Sequence, residues 1–150
     1  MHSIDYRSFE GQPTAEVLDW IVQLNEVTFG FNETAEKLAH FFSTRSQVLI
    51  CLAFMNGELV GYKVGMEDGD GHFESWRGGV ADHARRIGIA QGLMRLQHEW
   101  CAEQGFRSIR TSTTNNNAPM LILNLRNGFE VVGTEMTRNQ QLKVLQEKWL

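Results

Sequence analysis

Between His72 and Ser112 a strand, a helix and a second strand follow one another, and this stretch limits the fold more than any other. His72 to Val80 reads as a strand that Gly78-Gly79 weakens near its end. Ile89, Leu93, Leu96 and Trp100 then recur at helical spacing, which predicts a helix over 88–104 closed by Gly105 as its C′ glycine. Phe106 to Ser112 reads as the returning strand. Such a βαβ unit requires parallel strands and a right-handed crossover. Directly before it, the apolar run Gln47–Met55, the dipeptide Asn56-Gly57 and the partner Glu58–Glu67 spell a hairpin with a type I′ turn.

The remaining elements follow from local patterning. Ser3 to Phe9 alternates loosely, as a first strand. Gln12-Pro13-Thr14 opens a helix with Val17, Ile21, Leu24 and Val27 or Thr28 on one face, and Gly30 breaks it. A second helix is predicted over Glu33–Ser43, capped by Asn32 and burying Leu38, Phe41 and Phe42. Gly69-Asp70-Gly71 makes a turn. Asn117 caps a last helix that carries Met120, Leu121 and Leu125 and stops at Gly128. Phe129–Thr137 and Gln141–Trp149 close the chain as an antiparallel pair. The order is β-α-α-β-β-β-α-β-α-β-β, an α/β (α+β, mixed-sheet) protein.

Composition narrows the class. One hundred and fifty residues make a single domain, 1–150, and 42% hydrophobic with 21% charged residues is a globular profile. A net charge of −4 lacks the basic footprint of a nucleic-acid binder and leans slightly toward a cationic substrate. No apolar run reaches the ~18 residues of a membrane span. Met1 to Glu10 carries Asp5, Arg7 and Glu10 and lacks the apolar stretch of a signal peptide. Cys51 and Cys101 provide neither a disulfide framework nor a zinc site, and no ligand spacing suggests another metal. They read as reduced core residues of a cytoplasmic protein.

The turn inside the βαβ unit carries the chemistry. It reads Val80-Ala81-Asp82-His83-Ala84-Arg85-Arg86-Ile87-Gly88-Ile89-Ala90. Free N–H groups at a helix start and the helix dipole attract an anion. Gly88 and Ala90 let a phosphate approach the backbone, and Arg85 and Arg86 add charge and bidentate donors. This is a pyrophosphate cradle, although neither the P-loop nor the dinucleotide fingerprint is present. Arg-x-x-Gly-x-Ala alone also describes a basic helix start that binds nothing. Its position, after a strand and at the head of an amphipathic helix, raises its value.

With this block and a second one, Asn117-Ala118-Pro119-Met120-Leu121-Ile122-Leu123-Asn124-Leu125-Arg126-Asn127-Gly128-Phe129, the chain resembles the GNAT superfamily of N-acetyltransferases over essentially its whole length. The first block matches the family's [Gln/Arg]-x-x-Gly-x-[Gly/Ala] as Arg85, Gly88 and Ala90, and the second its Asn-x-x-Ala-x-x-x-Tyr-x-x-x-Gly-Phe. The resemblance implies a mixed sheet splayed open between the strands 72–80 and 106–112. Acetyl-CoA would lie in the gap, its pantetheine pairing with Gly78 to Val80 like an added strand. The cofactor-binding set is then Gly79, Val80, Arg85, Arg86, Ile87, Gly88, Ile89, Ala90, Asn117 and Asn124. No metal takes part.

The implied reaction is direct attack of a primary amine on the thioester in a ternary complex. An amine of pKa ~10.4 costs roughly 4–5 kcal/mol to present neutral at pH 7, so a base is needed. Glu74, six residues before Val80, sits at the offset of the base in the family's histone-acetylating branch, with His83 and His72 as rivals. Even spacing predicts that Glu74, Trp76, Gly78 and Val80 share a face. The Val80 N–H is the expected oxyanion donor. Where the family often has an acidic tyrosine this chain has Asn124, an amide that can bond the sulfur, the pantetheine or a water but cannot donate a proton as an acid. A thiol of pKa ~8.5 can leave as thiolate. Phe29, Phe31 and Trp76 are expected to wall the acceptor, a small amine or an amine of a peptide or protein. The strand pair 129–149 offers itself for a homodimer. A non-catalytic acyl-CoA-binding or sensor domain is the alternative on the same fold, and a phosphate-binding βαβ protein the alternative outside it.

Overall fold

The computed structural model describes residues 3–30 and 32–150. Its elements run β1 (Ile4–Glu10), α1 (Ala15–Phe29), α2 (Ala35–Ser43), β2 (Leu49–Met55), β3 (Glu58–Glu67), β4 (His72–Val80), α3 (Ile89–Glu103), β5 (Ser108–Thr114), α4 (Ala118–Arg126), β6 (Glu130–Met136) and β7 (Leu142–Trp149). The seven strands form one sheet in the order β1-β2-β3-β4-β5-β7-β6. The β4–β5 pair is parallel and the other pairs are antiparallel. The mixed sheet and the predicted element order are both present.

The turn chemistry is as the residues dictate. Asn56 and Gly57 both take positive φ, 53° and 80°, as a type I′ turn requires. Three local expectations are corrected. Thr34, not Asn32, caps α2, accepting from Lys37 N–H, so the helix begins at Ala35 rather than Glu33. β5 begins at Ser108 rather than Phe106. Phe106 instead packs against the rings of Phe73 and Trp100, and Arg107 N–H bonds Gly71 O before the ladder starts. Val27 is exposed, and α1 buries Leu18 and Asn25 beside Val17, Ile21 and Leu24.

The helices cover both faces of the sheet. On β3, Tyr62 donates its hydroxyl to Asn25 of α1 at 2.7 Å. Its neighbour Gly61 faces Ile89 and Leu93 of α3, either of which a Cβ there would crowd. Adjacent strand residues point to opposite faces, so α1 and α3 flank β3 from opposite sides. α4 joins α3 through a reciprocal amide pair, Gln91 and Asn127, at 2.7 and 2.8 Å. The core is continuous through β2, whose Leu49 to Ala53 are fully buried. Cys51 and Cys101 are buried there as free thiols, and burial pushes both up to about 12, so neither is a nucleophile. Among the described residues no helix is long and apolar enough to cross a membrane.

Candidate active site

The parallel ladder between β4 and β5 is short. It pairs His72 with Ser108 and ends at Ser75 with Thr111, although β4 continues to Val80 and β5 to Thr114. At the last rung the Thr111 hydroxyl bonds Ser75 O at 3.0 Å. Beyond it the strands part, and a fork opens in the middle of the sheet.

The β4 side of the fork presents backbone. Ala81 N–H is given to Val60 O. In an antiparallel ladder successive residues alternate between inward and outward peptide groups. With the register Gly61–Val80, Tyr62–Gly79 and Lys63–Gly78, the peptide groups of Gly78 and Val80 therefore face the fork. Val80 O accepts Arg85 Nε at 3.2 Å, while Arg85 also pairs with Asp82 at 3.1 Å. Arg85 thus folds the connecting loop back over the strand end.

The head of α3 is the second half of the site. Arg86 and Gly88 take positive φ, 65° and 88°, and Gly88 is the left-handed N-cap of the helix. A Cβ at Gly88 would meet nothing within 4 Å. Gly92 N–H is the first to bond within the turn, to Gly88 O at 3.0 Å. The backbone N–H groups from Arg86 to Gln91 donate to no described residue. Arg85 to Gly88 are exposed, while the Ile89 side chain is buried as core. The expected cradle residues therefore do come together as an open amide nest, and Ile89 contributes its backbone. Asn117 caps α4, accepting from Met120 N–H at 3.4 Å.

The face predicted for β4 is corrected. One residue of β3, from Val64 to Gly65, spans two of β4, from Arg77 to Ser75, so Trp76 is a bulge. The bulge shifts the alternation by one. Trp76 stacks on Phe41 of α2 at 4.2 Å and 17°, and Gly79 faces Phe29 of α1. Val80 instead pairs with Gly61, on the α3 side. Glu74, Trp76, Gly78 and Val80 do not share one face. Strict alternation also hid Arg77, which the bulge turns to the helix side, where it pairs with Glu33 at 2.6 Å and lies 4.1 Å over Trp76. The doubled glycine next to it was the only hint of irregularity.

Glu74 sits one rung below the end of the parallel ladder, opposite Arg110 on β5 and Met66 on β3. It is half-buried, and burial together with nearby Asp68 raises its pKa against the opposing pull of Arg45. His83 is exposed in the loop near Glu58, and His72 bonds Ser108 at the far end of β4. Asn124 is 1% exposed and donates to Gln146 on β7 at 2.9 Å. One of its two amide N–H donors is thereby committed to the sheet. Tyr62 is buried beside Gly79 and pushed up to about 12, first by that burial. Phe31 lies outside the described residues.

A recess of about 270 Å³ lies beside Arg77, lined by Asn32, Glu33, Lys37 and Arg77. A larger one of about 350 Å³ runs along the flank of α3 past Arg95 and His98 to Lys148. Burial pulls His98 down to about 3, so it is a neutral ring there rather than a base. Among the described residues no cluster of three or more His, Cys, Asp or Glu residues forms a metal site.

The acetyltransferase (GNAT) family model matches residues 14–129. No curated protein matches the chain by sequence. Among solved structures, the PaiA N-acetyltransferase of Thermoplasma acidophilum in complex with coenzyme A shares 17% identity over 99% of both chains, at a TM-score of 0.75. Ard1 of Thermoplasma volcanium shares 14% over 98% of this chain and 97% of its own, at 0.81. The ribosomal-protein-S18-alanine N-acetyltransferase of Escherichia coli shares 12% over 95% and 94%, at 0.79. At these identities the likeness is one of fold.

Proposed function

Because the chain belongs to the GNAT acetyltransferase family, we propose that it is an N-acetyltransferase that moves an acetyl group from acetyl-CoA to a primary amine by direct attack in a ternary complex. The observation that carries this is the fork beside an amide nest: a ladder that stops at Ser75–Thr111, and six consecutive N–H groups from Arg86 to Gln91 that donate to none of the described residues. A pyrophosphate fits that nest, and Gly88 leaves it unobstructed. Arg85, Arg86, Ile87, Gly88, Ile89 and Ala90 hold the diphosphate. Gly79 and Val80 border the pantetheine arm, and Asn117 is a further ligand at the head of α4.

Acetyl-CoA supplies the activated acyl group, and the chain supplies the rest. The fork-facing N–H of Val80 is a fixed donor for the carbonyl oxygen. Glu74, whose raised pKa suits a base working nearer neutrality, takes the amine's proton directly or through water. Phe29 and Trp76 wall the acceptor. The thiol, of pKa ~8.5, leaves as thiolate with no acid from α4.

Thiol release from acetyl-CoA against a panel of amines and peptides tests the activity. Arg85→Ala and Gly88→Trp are expected to abolish acetyl-CoA binding; binding that survives both refutes the cradle. A second reading, a non-catalytic acyl-CoA sensor, is favoured by the Asn124–Gln146 bond at the position of the family's acid. It predicts acetyl-CoA binding without turnover on any amine. The reading places the protein in the cytoplasm, in keeping with two free buried thiols. Its homodimer would form along β6, an edge strand exposing Val131, Val132 and Met136, which sedimentation equilibrium reads directly.

A further inference from the structure

The recess beside the fork carries a charge pattern that an acetyl donor does not explain. Two cations, Lys37 and Arg77, face one carboxylate, Glu33, giving a net charge of +1 in a chain whose total is −4. Arg77 and Glu33 are largely withdrawn from solvent, at 27% and 24% side-chain exposure. The guanidinium is oriented by the carboxylate at 2.6 Å, by the Tyr62 hydroxyl and by the Trp76 ring beneath it. That ring is in turn held by Phe41. Lys37 is exposed and forms no ion pair among the described residues. The Trp76 bulge puts Arg77 and Gly79, two residues apart at roughly 6–7 Å along the strand, on the same face as Trp76. A recess that had only to admit a cationic amine would do better with its charges reversed.

We infer, resting on the N-acetyltransferase reading, that the acceptor is an amine that also bears a carboxylate: the carboxylate is held between Lys37 and Arg77, the carbon body lies against Trp76 and Phe29, and the amine is directed along β4 toward Gly78 and Gly79. Arg77 and Lys37 are then specificity residues. Glu33 holds the guanidinium in place for a planar two-point contact with the carboxylate. The slight preference for a cationic acceptor suggested by overall acidity is replaced by a preference for a zwitterion, because local charge outweighs the distant average once salt screens beyond ~8–10 Å.

The test is thiol release from acetyl-CoA with matched acceptors: α- and ω-amino acids, their carboxamides, and diamines of equal length. Acetyl-CoA binding is followed in parallel by calorimetry. The amino acid is expected to exceed its carboxamide in kcat/KM by roughly 10- to 100-fold. Lys37→Glu, on an exposed side chain where folding is not at stake, should bring that ratio down several-fold. Arg77→Gln should bring it close to one, with Arg77→Lys restoring part of it. Acetyl-CoA affinity should stay unchanged in all three. Carboxamides or diamines that react as fast as the amino acids, or a ratio that none of the variants moves, overturn the inference and leave the acetyltransferase reading standing. Binding of acetyl-CoA with no release on any acceptor overturns both.

Discussion

Gly79→Ala probes the contact between the fork strand and Phe29, the proposed acceptor wall. Gly79 has no positive φ, so alanine brings no backbone strain. The difficulty is space: a Cβ there would lie 2.6 Å from Phe29 Cε2 and closer still to Cζ, against an ordinary contact of 3.4 Å or more. The ring has to withdraw by ~1 Å or more. Overpacking of this kind costs about 1–3 kcal/mol. Removing a glycine from the unfolded chain offsets roughly 0.4–1 kcal/mol of that. The net loss is ~0.5–2 kcal/mol, which for 150 residues lowers Tm by about 1–8 °C. Urea unfolding in a double-mutant cycle isolates the cause. In a Phe29→Ala background the obstacle is gone, and Gly79→Ala should become neutral or stabilising by a few tenths of a kcal/mol. The KM for the acceptor should rise in Gly79→Ala alone, since the displaced ring moves into the acceptor's space. Equal destabilisation by Gly79→Ala in both backgrounds would refute the packing argument and remove Phe29 from the wall.

Three further outcomes are expected. Gly88→Ala meets no atoms but has to hold φ near +88°, costing about 1–2 kcal/mol of stability and weakening acetyl-CoA at least about tenfold by calorimetry; unchanged affinity would show that the nest does not hold the diphosphate. Glu74→Gln should cut kcat at neutral pH and matter less as pH rises and more amine is neutral. Because the folded pKa of Glu74 is raised, its carboxylate costs stability once pH rises past its unfolded value, so the glutamine variant should be slightly more stable at pH 7, and pH-dependent unfolding showing the reverse would contradict that environment. Glu147 is the opposite case: burial alone would raise it, but bonds from Ser108 and Arg110, with His72 nearby, bring it below the usual range. Its contribution is complete above the ordinary glutamate pKa and is lost as pH falls through the lowered folded value. Glu147→Gln should therefore destabilise by about 1–3 kcal/mol at pH 7, with the gap closing below pH ~4 in denaturant titrations.

Much of this molecule is legible from local rules. The Asn56-Gly57 turn and the glycines at 88 and 105 are demanded by dihedral angles that few residues adopt, and Asn117 by the side-chain acceptor its cap needs, so they announce themselves in a single sequence. The order of strands and helices follows from periodicity, and the parallel β4–β5 pair from the helix between them. The amide nest at the head of α3 is readable because a strand end, a short loop and a helix start are contiguous in the chain.

What local rules missed depends on partners distant in the chain. The bulge at Trp76 arises where β4 must match β3, and by moving the alternation one step it decides that Arg77 joins Trp76 on the α2 side and that Val80 does not share a face with Glu74 and Trp76. Asn124 reads as a surface or ligand amide until Gln146, 22 residues away, takes its N–H and buries it. The pairing of Arg77 with Glu33, 44 residues apart, sets the charge of the recess beside them in the same way. Backbone torsions belong to single residues and are written into the chain. Register, face and pairing are settled only when strands from different parts of the chain compete for the same hydrogen bonds, and that competition takes place in the folded sheet.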